Sequence, residues 1–207
     1  MKIVVFGAGG RAGRRTVAEA RRRGHQVTAV VRDPAGHRDL TDVQLVAGDV
    51  TDAVSIAQAA AGHDAAISAA VDLSAAPHDF FTASSRALAT SLAEAGVRRL
   101  VVVGLASIMP GASGAALMDE PGYPNEYRSF YLGHAAGLAE LRNSDLDWAY
   151  LAPAGDFDHD GTRTGHYRFA EHGDPASRIS YPDFAIALLD EIEAPRHHRA
   201  AASVREV

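Results

Sequence analysis

The chain of 207 residues contains no cysteine and a single lysine, Lys2. Without cysteine there can be no disulfide, no thiolate metal site and no cysteine nucleophile, and the composition fits a reducing cytosol. Any mechanism that needs a catalytic lysine must use Lys2. Long apolar runs are also missing, since none approaches the roughly 20 residues of a membrane helix and the apolar start is too short for a signal peptide. We therefore expect a cytoplasmic protein with no membrane partner.

An excess of basic residues is absent as well, because the formal net charge is −6. Nucleic-acid-binding domains usually carry a basic excess, so nucleic acid is not an expected partner, and the arginines of the first helix are interpreted as a solvated face. The expected partner is a small-molecule acceptor or substrate, and the chain is expected to be a monomer or a homodimer. Residues 1–207 suit one domain, in which residues from about 155 to 207 contribute the substrate side.

Short apolar segments alternate with helical patterns over most of the chain. Strands are predicted at 2–6, 25–32, 42–49, 64–71, 98–104 and 146–154, and helices at 11–23, 51–62, about 77–95 and 125–144. A short strand near 165–169, a helix near 182–193 and a strand near 199–205 follow. Such alternation predicts an α/β fold of Rossmann type, a doubly wound parallel sheet with helices on both faces. The expected strand order is 3-2-1-4-5-6, with a ligand outside the carboxyl ends of the strands.

A glycine-rich turn joins the first strand to the first helix. It consists of Gly7, Gly9, Gly10, Arg11, Ala12 and Gly13. The first glycine permits a tight turn, the middle two let backbone N–H groups approach a pyrophosphate, and the last lets the helix pack closely on the strand. Because the turn lies between a strand and a helix, it predicts dinucleotide binding at the helix N-terminus. An ordinary glycine-rich turn is the alternative.

The residue that ends the second strand indicates which dinucleotide is bound. An acid there would accept a hydrogen bond from a ribose 2′-hydroxyl and repel a 2′-phosphate, but this chain has Arg32, followed by Asp33. Together with Arg11 in the glycine turn, Arg32 places two guanidinium groups near the expected adenosine ribose. We therefore expect NADP(H) to be preferred over NAD(H). The alternative is that Arg32 is a surface residue and that Asp33 accepts from the hydroxyl.

The ends of the third and fourth strands supply four more candidate cofactor contacts. Asp49 can accept from the adenine amino group, and Val50 can pack on the ring. Ala69 and Ala70 are small enough for the cofactor to pass over them. Helix capping by Asp49 and simple packing of the alanines are the alternatives.

Several stretches together resemble a known family. They include FGAGGRAG, GHQVTAVVRDP, VAGDVTD, RLVVVG, LRNSDLDWAYLAPA and RISYPDFAIALLDEIEAP. The chain resembles the atypical short-chain dehydrogenase/reductase superfamily, and within it the small NmrA-like NAD(P)H-binding proteins that are often described as NADH-flavin reductases. The resemblance implies that Gly104, Leu105 and Ser107 border the nicotinamide. It also implies that Pro153 and Ala154 position the carboxamide.

The chain departs from the wider superfamily at the residues that donate a proton. Many of those reductases use a serine with a Tyr-x-x-x-Lys pair, but Tyr131 stands where the lysine partner of Tyr127 would be. The candidate catalytic residues are therefore Ser107, His134 and Tyr127. Tyr127, Tyr131 and His134 are predicted to share one helix face, and His134 could donate a proton near neutral pH. The alternative is that this face packs on the sheet.

The stretch 156–161, DFDHDG, imitates the start of a calcium loop. Tyr167 occupies the position where such a loop needs a bidentate glutamate, so no metal site is expected. The stretch is predicted to be a polar loop beside the substrate entrance, and Phe157 either covers a bound ring or anchors the loop.

We expect an NADPH-dependent oxidoreductase that transfers hydride to a flavin, a quinone or a similar planar acceptor. Such acceptors need positioning over the nicotinamide, and water can supply the proton. The alternatives are a non-catalytic NADP(H)-binding sensor or regulator of NmrA-like type, and a biosynthetic epimerase, dehydratase or cyclase that has kept the fold.

Overall fold

A computed structural model describes residues 1–207 and contains ten β-strands and five α-helices. The strands are β1 (Lys2–Phe6), β2 (Gln26–Val31), β3 (Gln44–Ala47), β4 (Ala65–Ser68), β5 (Arg99–Val103), β6 (Asp147–Pro153), β7 (Asp156–Asp158), β8 (Arg168–Ala170), β9 (Arg178–Ser180) and β10 (Ala200–Arg205). The helices are α1 (Arg11–Arg22), α2 (Ala53–Ala60), α3 (Pro77–Glu94), α4 (Arg128–Arg142) and α5 (Tyr181–Glu193).

Eight strands form one sheet in the order β3-β2-β1-β4-β5-β6-β10-β8. The first seven of these run parallel, and only β8 pairs antiparallel, with β10. The predicted α/β class and the order 3-2-1-4-5-6 are confirmed. The closing strand extends the sheet beyond β6, where Ala200 pairs with Ala149.

Both faces of the sheet are covered, as the wholly apolar β1 requires. Ile3 and Val5 belong to the core on the side that includes Phe184 of α5. Val4 and Phe6 belong to the opposite core, which contains residues of α2, α3 and α4. Alternate β1 side chains therefore enter different cores, and all of them must be apolar.

The second half of the chain contains the main differences from the predicted elements. β7 and β9 form a separate two-stranded parallel sheet, in which Asp156 pairs with Arg178. The stretch 156–161 was expected to be a loop throughout, but it begins as strand β7. Three-residue strands with polar ends show no apolar alternation, so the sequence pattern did not indicate them.

None of the helices is both long enough and apolar enough to cross a membrane.

Candidate functional site

The glycine turn has the close backbone contacts expected for its sequence. Gly7 has a φ of +73°, and a Cβ there would lie 2.5 Å from the Ala70 Cα. A Cβ on Gly13 would lie 2.1 Å from the Gly7 carbonyl oxygen. Neither position has space for a side chain, so the turn brings α1 directly against the end of β1 and the start of the loop after β4.

The N-terminus of α1 is open to an anion. Gly10 is its N-cap residue, no side chain caps the helix, and the first turn contains no acidic residue. The first N–H groups of a helix have no partner within it, and the helix dipole adds a partial positive charge. A diphosphate fits this end of the helix, because backbone N–H groups near Arg11 and Ala12 are available to it.

A cleft of about 400 Å³ lies beside the glycine turn at the carboxyl ends of the first strands. Eight of the predicted cofactor residues line it together: Gly7, Gly9, Gly10, Arg32, Asp49, Val50, Ala69 and Ala70. Sequence reasoning missed other lining residues, among them His37, Asp72 and Phe80. These come from the loops after β2 and β4 and from α3, and no local motif marks them.

Arg32 and Asp33 have separate roles at the end of β2. The Asp33 carboxylate accepts a hydrogen bond from the Ala35 N–H at 2.9 Å and caps the short helical turn Pro34–His37. Asp33 does not line the cleft, whereas Arg32 lines it and pairs with Asp72. Of the two residues, Arg32 is therefore the one that faces the cleft.

Arg11 does not act as a second guanidinium in this cleft. Its side chain contacts the His159 ring, on the loop after β7, and it is not among the residues that line the cleft. Its position at the start of α1 directs it toward the loop after β7. The expectation that Arg11 and Arg32 lie together at the ribose is corrected on this point.

Two side chains that support Gly9 were not predicted. The Arg14 side chain donates from Nε to the Gly9 carbonyl oxygen at 2.9 Å and lies 2.9 Å from the His37 Nδ1. The His37 ring lies so close to Gly9 that an added Cβ would come within 2.5 Å of it. Arg14 and His37 therefore hold the turn in place from the side of the cleft.

Asp49 organises the loop after β3 and does not cap a helix. Its Oδ1 accepts from the Thr51 N–H at 2.8 Å and from the Thr51 hydroxyl at 2.7 Å. Asp52 caps α2 instead, by accepting from the Val54 N–H. The second carboxylate oxygen of Asp49 has no partner in the protein and is available to a ligand in the cleft.

Buried hydrogen bonds support the ends of β5 and β6. The Leu105 N–H donates to the Tyr150 hydroxyl at 3.0 Å, and that hydroxyl is hydrogen-bonded to the His134 Nδ1 at 2.9 Å. The Tyr150 ring lies against Gly104, where an added Cβ would approach a ring carbon within 2.2 Å. The Tyr150 side chain therefore supports Gly104 and Leu105, and the sequence did not indicate this role.

The turn after β6 is also held by the backbone. Pro153 is the last residue of β6, and the Ala154 N–H donates to the Val204 carbonyl of β10 at 2.7 Å. Both residues are buried. The structure therefore places Pro153 and Ala154 at the carboxyl end of the sheet, beside the strand end that carries Gly104.

His134 is a buried structural residue. Its ring packs on Phe81, with centroids 3.8 Å apart, and on Phe130, at 4.9 Å. Burial lowers the pKa of His134 to about 3, so the ring is neutral at physiological pH. The prediction of a proton donor near neutral pH is wrong for this residue, because burial disfavours the charged form.

Tyr127 does not share a face with the other two residues. It precedes α4 as the N-cap residue, and the residue is 61% exposed. Tyr131 and His134 lie inside the helix and are buried. The expected common helix face is therefore corrected, because the helix begins three residues later than predicted.

Ser107 lies in a small group of hydroxyls, which we call the hydroxyl cluster: Ser107, Tyr123 and Tyr131. The buried Ser107 Oγ lies 2.9 Å from the Tyr123 hydroxyl, and the Tyr123 and Tyr131 rings meet edge to face at 5.9 Å. Burial raises the pKa of Tyr131, and the nearby Tyr123 adds to the rise. The cluster lies just after β5, at the same edge of the sheet as the cleft. Tyr123 was missed because it belongs to a Gly- and Pro-rich loop.

Phe157 anchors strand β7 to helix α5. Its ring stacks on Tyr181 at 4.2 Å and meets Phe184 edge to face at 5.1 Å. This contact selects the second of the two roles considered for Phe157. No group of three or more histidine, aspartate or glutamate side chains is arranged to hold a metal ion.

Comparison with known proteins places the chain among nucleotide-binding proteins. The model of a family described as NAD(P)H-binding matches residues 7–195. The uncharacterized protein YwnB of Bacillus subtilis is 37% identical over 209 residues, covering 95% of this chain and 94% of YwnB.

Two solved structures are similar over the whole length. A proposed exported protein from Burkholderia pseudomallei is 40% identical, with 99% of each chain covered and a TM-score of 0.86. A proposed NADH-flavin reductase from Streptococcus pneumoniae is 32% identical, with 100% of each chain covered and a TM-score of 0.85. These likenesses agree with the resemblance to NmrA-like atypical short-chain dehydrogenases/reductases. By the extent of the family match and the identity to YwnB, the chain belongs to the NAD(P)H-binding family.

Proposed function

We propose that the protein is an NADPH-dependent oxidoreductase that passes hydride to a small planar acceptor such as a flavin or a quinone. One observation carries this proposal: the cleft beside the glycine turn is lined by the guanidinium of Arg32, and it lies at the same sheet edge as the hydroxyl cluster, which has no lysine near it. When bound, the nicotinamide cofactor supplies the hydride, and the residues of the chain bind and orient it.

The choice of NADPH depends on Arg32. This side chain is 64% exposed and lines the cleft, so it can turn toward a 2′-phosphate. A guanidinium presents several donors to phosphate oxygens and remains charged at every physiological pH. The carboxylate of the neighbouring Asp33, which would suit a 2′-hydroxyl, is engaged in capping the turn that follows.

The choice of acceptor depends on the hydroxyl cluster. The raised pKa of Tyr131 makes it a weaker acid than free tyrosine. The single lysine, Lys2, lies at the amino end of β1, whereas the cluster follows the carboxyl end of β5, so this lysine is at the opposite edge of the sheet. Ketone reduction needs a positioned proton donor, whereas a flavin or quinone can accept hydride and take its proton from water. Ser107 is the proposed contact to the acceptor. The name of the Streptococcus pneumoniae neighbour agrees with a flavin acceptor.

Turnover is tested by mixing the purified protein with NADPH and either FMN or menadione, and by following the absorbance of the reduced nicotinamide. We expect oxidation that depends on both protein and acceptor, and slower oxidation in Ser107→Ala. Tight NADPH binding without oxidation would refute the enzyme and favour a sensor or regulator. Failure to bind NADPH or NADH would refute the whole proposal.

The cofactor preference is tested by calorimetry on Arg32→Asp. We expect its NADPH affinity to fall by about tenfold or more relative to NADH, because an attractive charge at the 2′-phosphate becomes repulsive. Arg38→Asp is the matched control, since Arg38 is exposed just after the same turn and does not line the cleft. Equal losses for both cofactors in Arg32→Asp would contradict the assignment.

A further inference from the structure

Asp72 is a carboxylate that faces Arg32 inside the cofactor cleft. Asp72 follows β4 and Arg32 follows β2, and both strands pair with β1. Their side chains form an ion pair, and both line the cleft beside the glycine turn. The group expected to bind a 2′-phosphate is therefore already paired with a negative charge of the protein.

The two partners of this pair differ in how many contacts hold them and in their exposure. The Asp72 Oδ1 accepts from the Ser74 N–H at 2.9 Å and from the Ser74 hydroxyl at 2.6 Å. These bonds, followed by the contact with Arg32, lower the pKa of Asp72. The Asp72 side chain is 19% exposed, whereas that of Arg32 is 64% exposed. The carboxylate is thus the fixed partner, and the guanidinium is the one that can turn.

We propose that Asp72 is a specificity-determining residue that competes with the 2′-phosphate for Arg32 and so limits the preference for NADPH over NADH. The inference rests on the proposed function, in which Arg32 recognises the phosphate. A 2′-phosphate must draw Arg32 away from Asp72 and must then lie near the Asp72 carboxylate. The phosphate and the carboxylate are both negative, so they repel each other. The 2′-hydroxyl of NADH carries no charge and can donate to a carboxylate, so NADH does not meet this repulsion.

The test is Asp72→Asn, measured as cofactor binding without turnover. Asparagine has nearly the same shape, and its amide oxygen can still accept both bonds from Ser74. We expect calorimetry at low ionic strength to show NADPH binding about three- to tenfold tighter, with NADH binding unchanged or weaker. The gain for NADPH should shrink as salt is added, because the interaction is between partly exposed charges.

Asp79→Asn is the matched control. Asp79 lines the same cleft, but its side chain is 84% exposed and does not pair with Arg32. We expect this change to alter the affinities for NADPH and NADH by similar small factors. A control that tightens NADPH binding as much as Asp72→Asn would overturn the inference, because the general negative charge of the cleft would then be the cause.

The failure of this inference is distinguishable from failure of the proposed function. If Arg32→Asp leaves the ratio of NADPH to NADH affinity unchanged, the proposed role of Arg32 fails, and the inference fails with it. If Arg32→Asp changes that ratio but Asp72→Asn shifts both cofactors equally, or weakens NADPH, only the role of Asp72 is refuted. A thermal unfolding curve like that of the wild type shows that Asp72→Asn is folded.

Discussion

Glu19→Gln removes a buried negative charge from α1. The Glu19 side chain is only 4% exposed, and its carboxylate accepts hydrogen bonds from three arginines. Arg22 donates at 2.7 and 2.8 Å, Arg23 at 3.0 Å, and Arg163 at 3.3 and 3.5 Å. Because Arg163 belongs to the loop after β7, this carboxylate links the first helix to that loop.

The size of the effect follows from the pKa of Glu19. Its hydrogen bonds to arginine, that from Arg22 first, lower the pKa from 4.5 to about 2. This shift corresponds to about 3 kcal/mol of stabilisation, and removing one partner of a buried pair costs a similar amount. Since the folded-state pKa is lowered, the contribution is fully present above about pH 4.5 and is lost as the pH falls toward 2.

Urea unfolding followed by circular dichroism measures this difference. We expect Glu19→Gln to lower the free energy of unfolding by about 3 kcal/mol near neutral pH, and the gap to the wild type to narrow as the pH falls below 4.5. Asp42→Asn is the control, because Asp42 is 72% exposed in its pair with Arg21 and should cost less than about 1 kcal/mol. A pH-independent gap, or a loss no larger than that of the control, would refute the reasoning.

Two further substitutions test the two ends of the site. Gly13→Ala would bring a methyl group to 2.1 Å from the Gly7 carbonyl oxygen. We therefore expect weaker NADPH binding in calorimetry and a free energy of unfolding in urea that is lower by about 1–3 kcal/mol. A variant with unchanged binding and stability would contradict the close approach. Tyr150→Phe leaves the Leu105 N–H and the His134 ring without their shared partner. We therefore expect a free energy of unfolding that is lower by about 1–3 kcal/mol, and a lower Tm in scanning calorimetry. Wild-type stability would show that these groups find other partners.

The main sheet could be predicted because its signal is local. A wholly apolar strand such as β1 must be covered on both faces, and its side chains do enter two different cores. β7 and β9 could not be predicted in the same way. Each has three residues, and they pair across about twenty residues of sequence, with Asp156 opposite Arg178. Such strands form because the surrounding fold brings them together, which periodicity does not reveal.

In the candidate site, too, only the locally encoded part could be predicted. The glycine turn is a continuous motif, and its residues do adopt the close approach that the spacing implies. The pair of Arg32 and Asp72 spans 40 residues, and the contact of Ser107 with Tyr123 spans 16. Each joins loops whose neighbourhood depends on strand order, so the sequence indicates the chemistry of one partner without identifying the other.

The cleft and the strand ends at Gly104 and Leu105 also differ in what a substitution costs the fold. In the cleft, Arg32 forms an exposed ion pair, and exposed ion pairs contribute little to stability. The strand ends at Gly104 and Leu105 depend on the fully buried Tyr150 and its bond to His134, where an unpaired polar group costs far more. We therefore expect substitutions of exposed cleft residues such as Arg32 to leave the fold intact. Gly104 and Leu105, at the proposed nicotinamide position, can change only together with the core residues that support them.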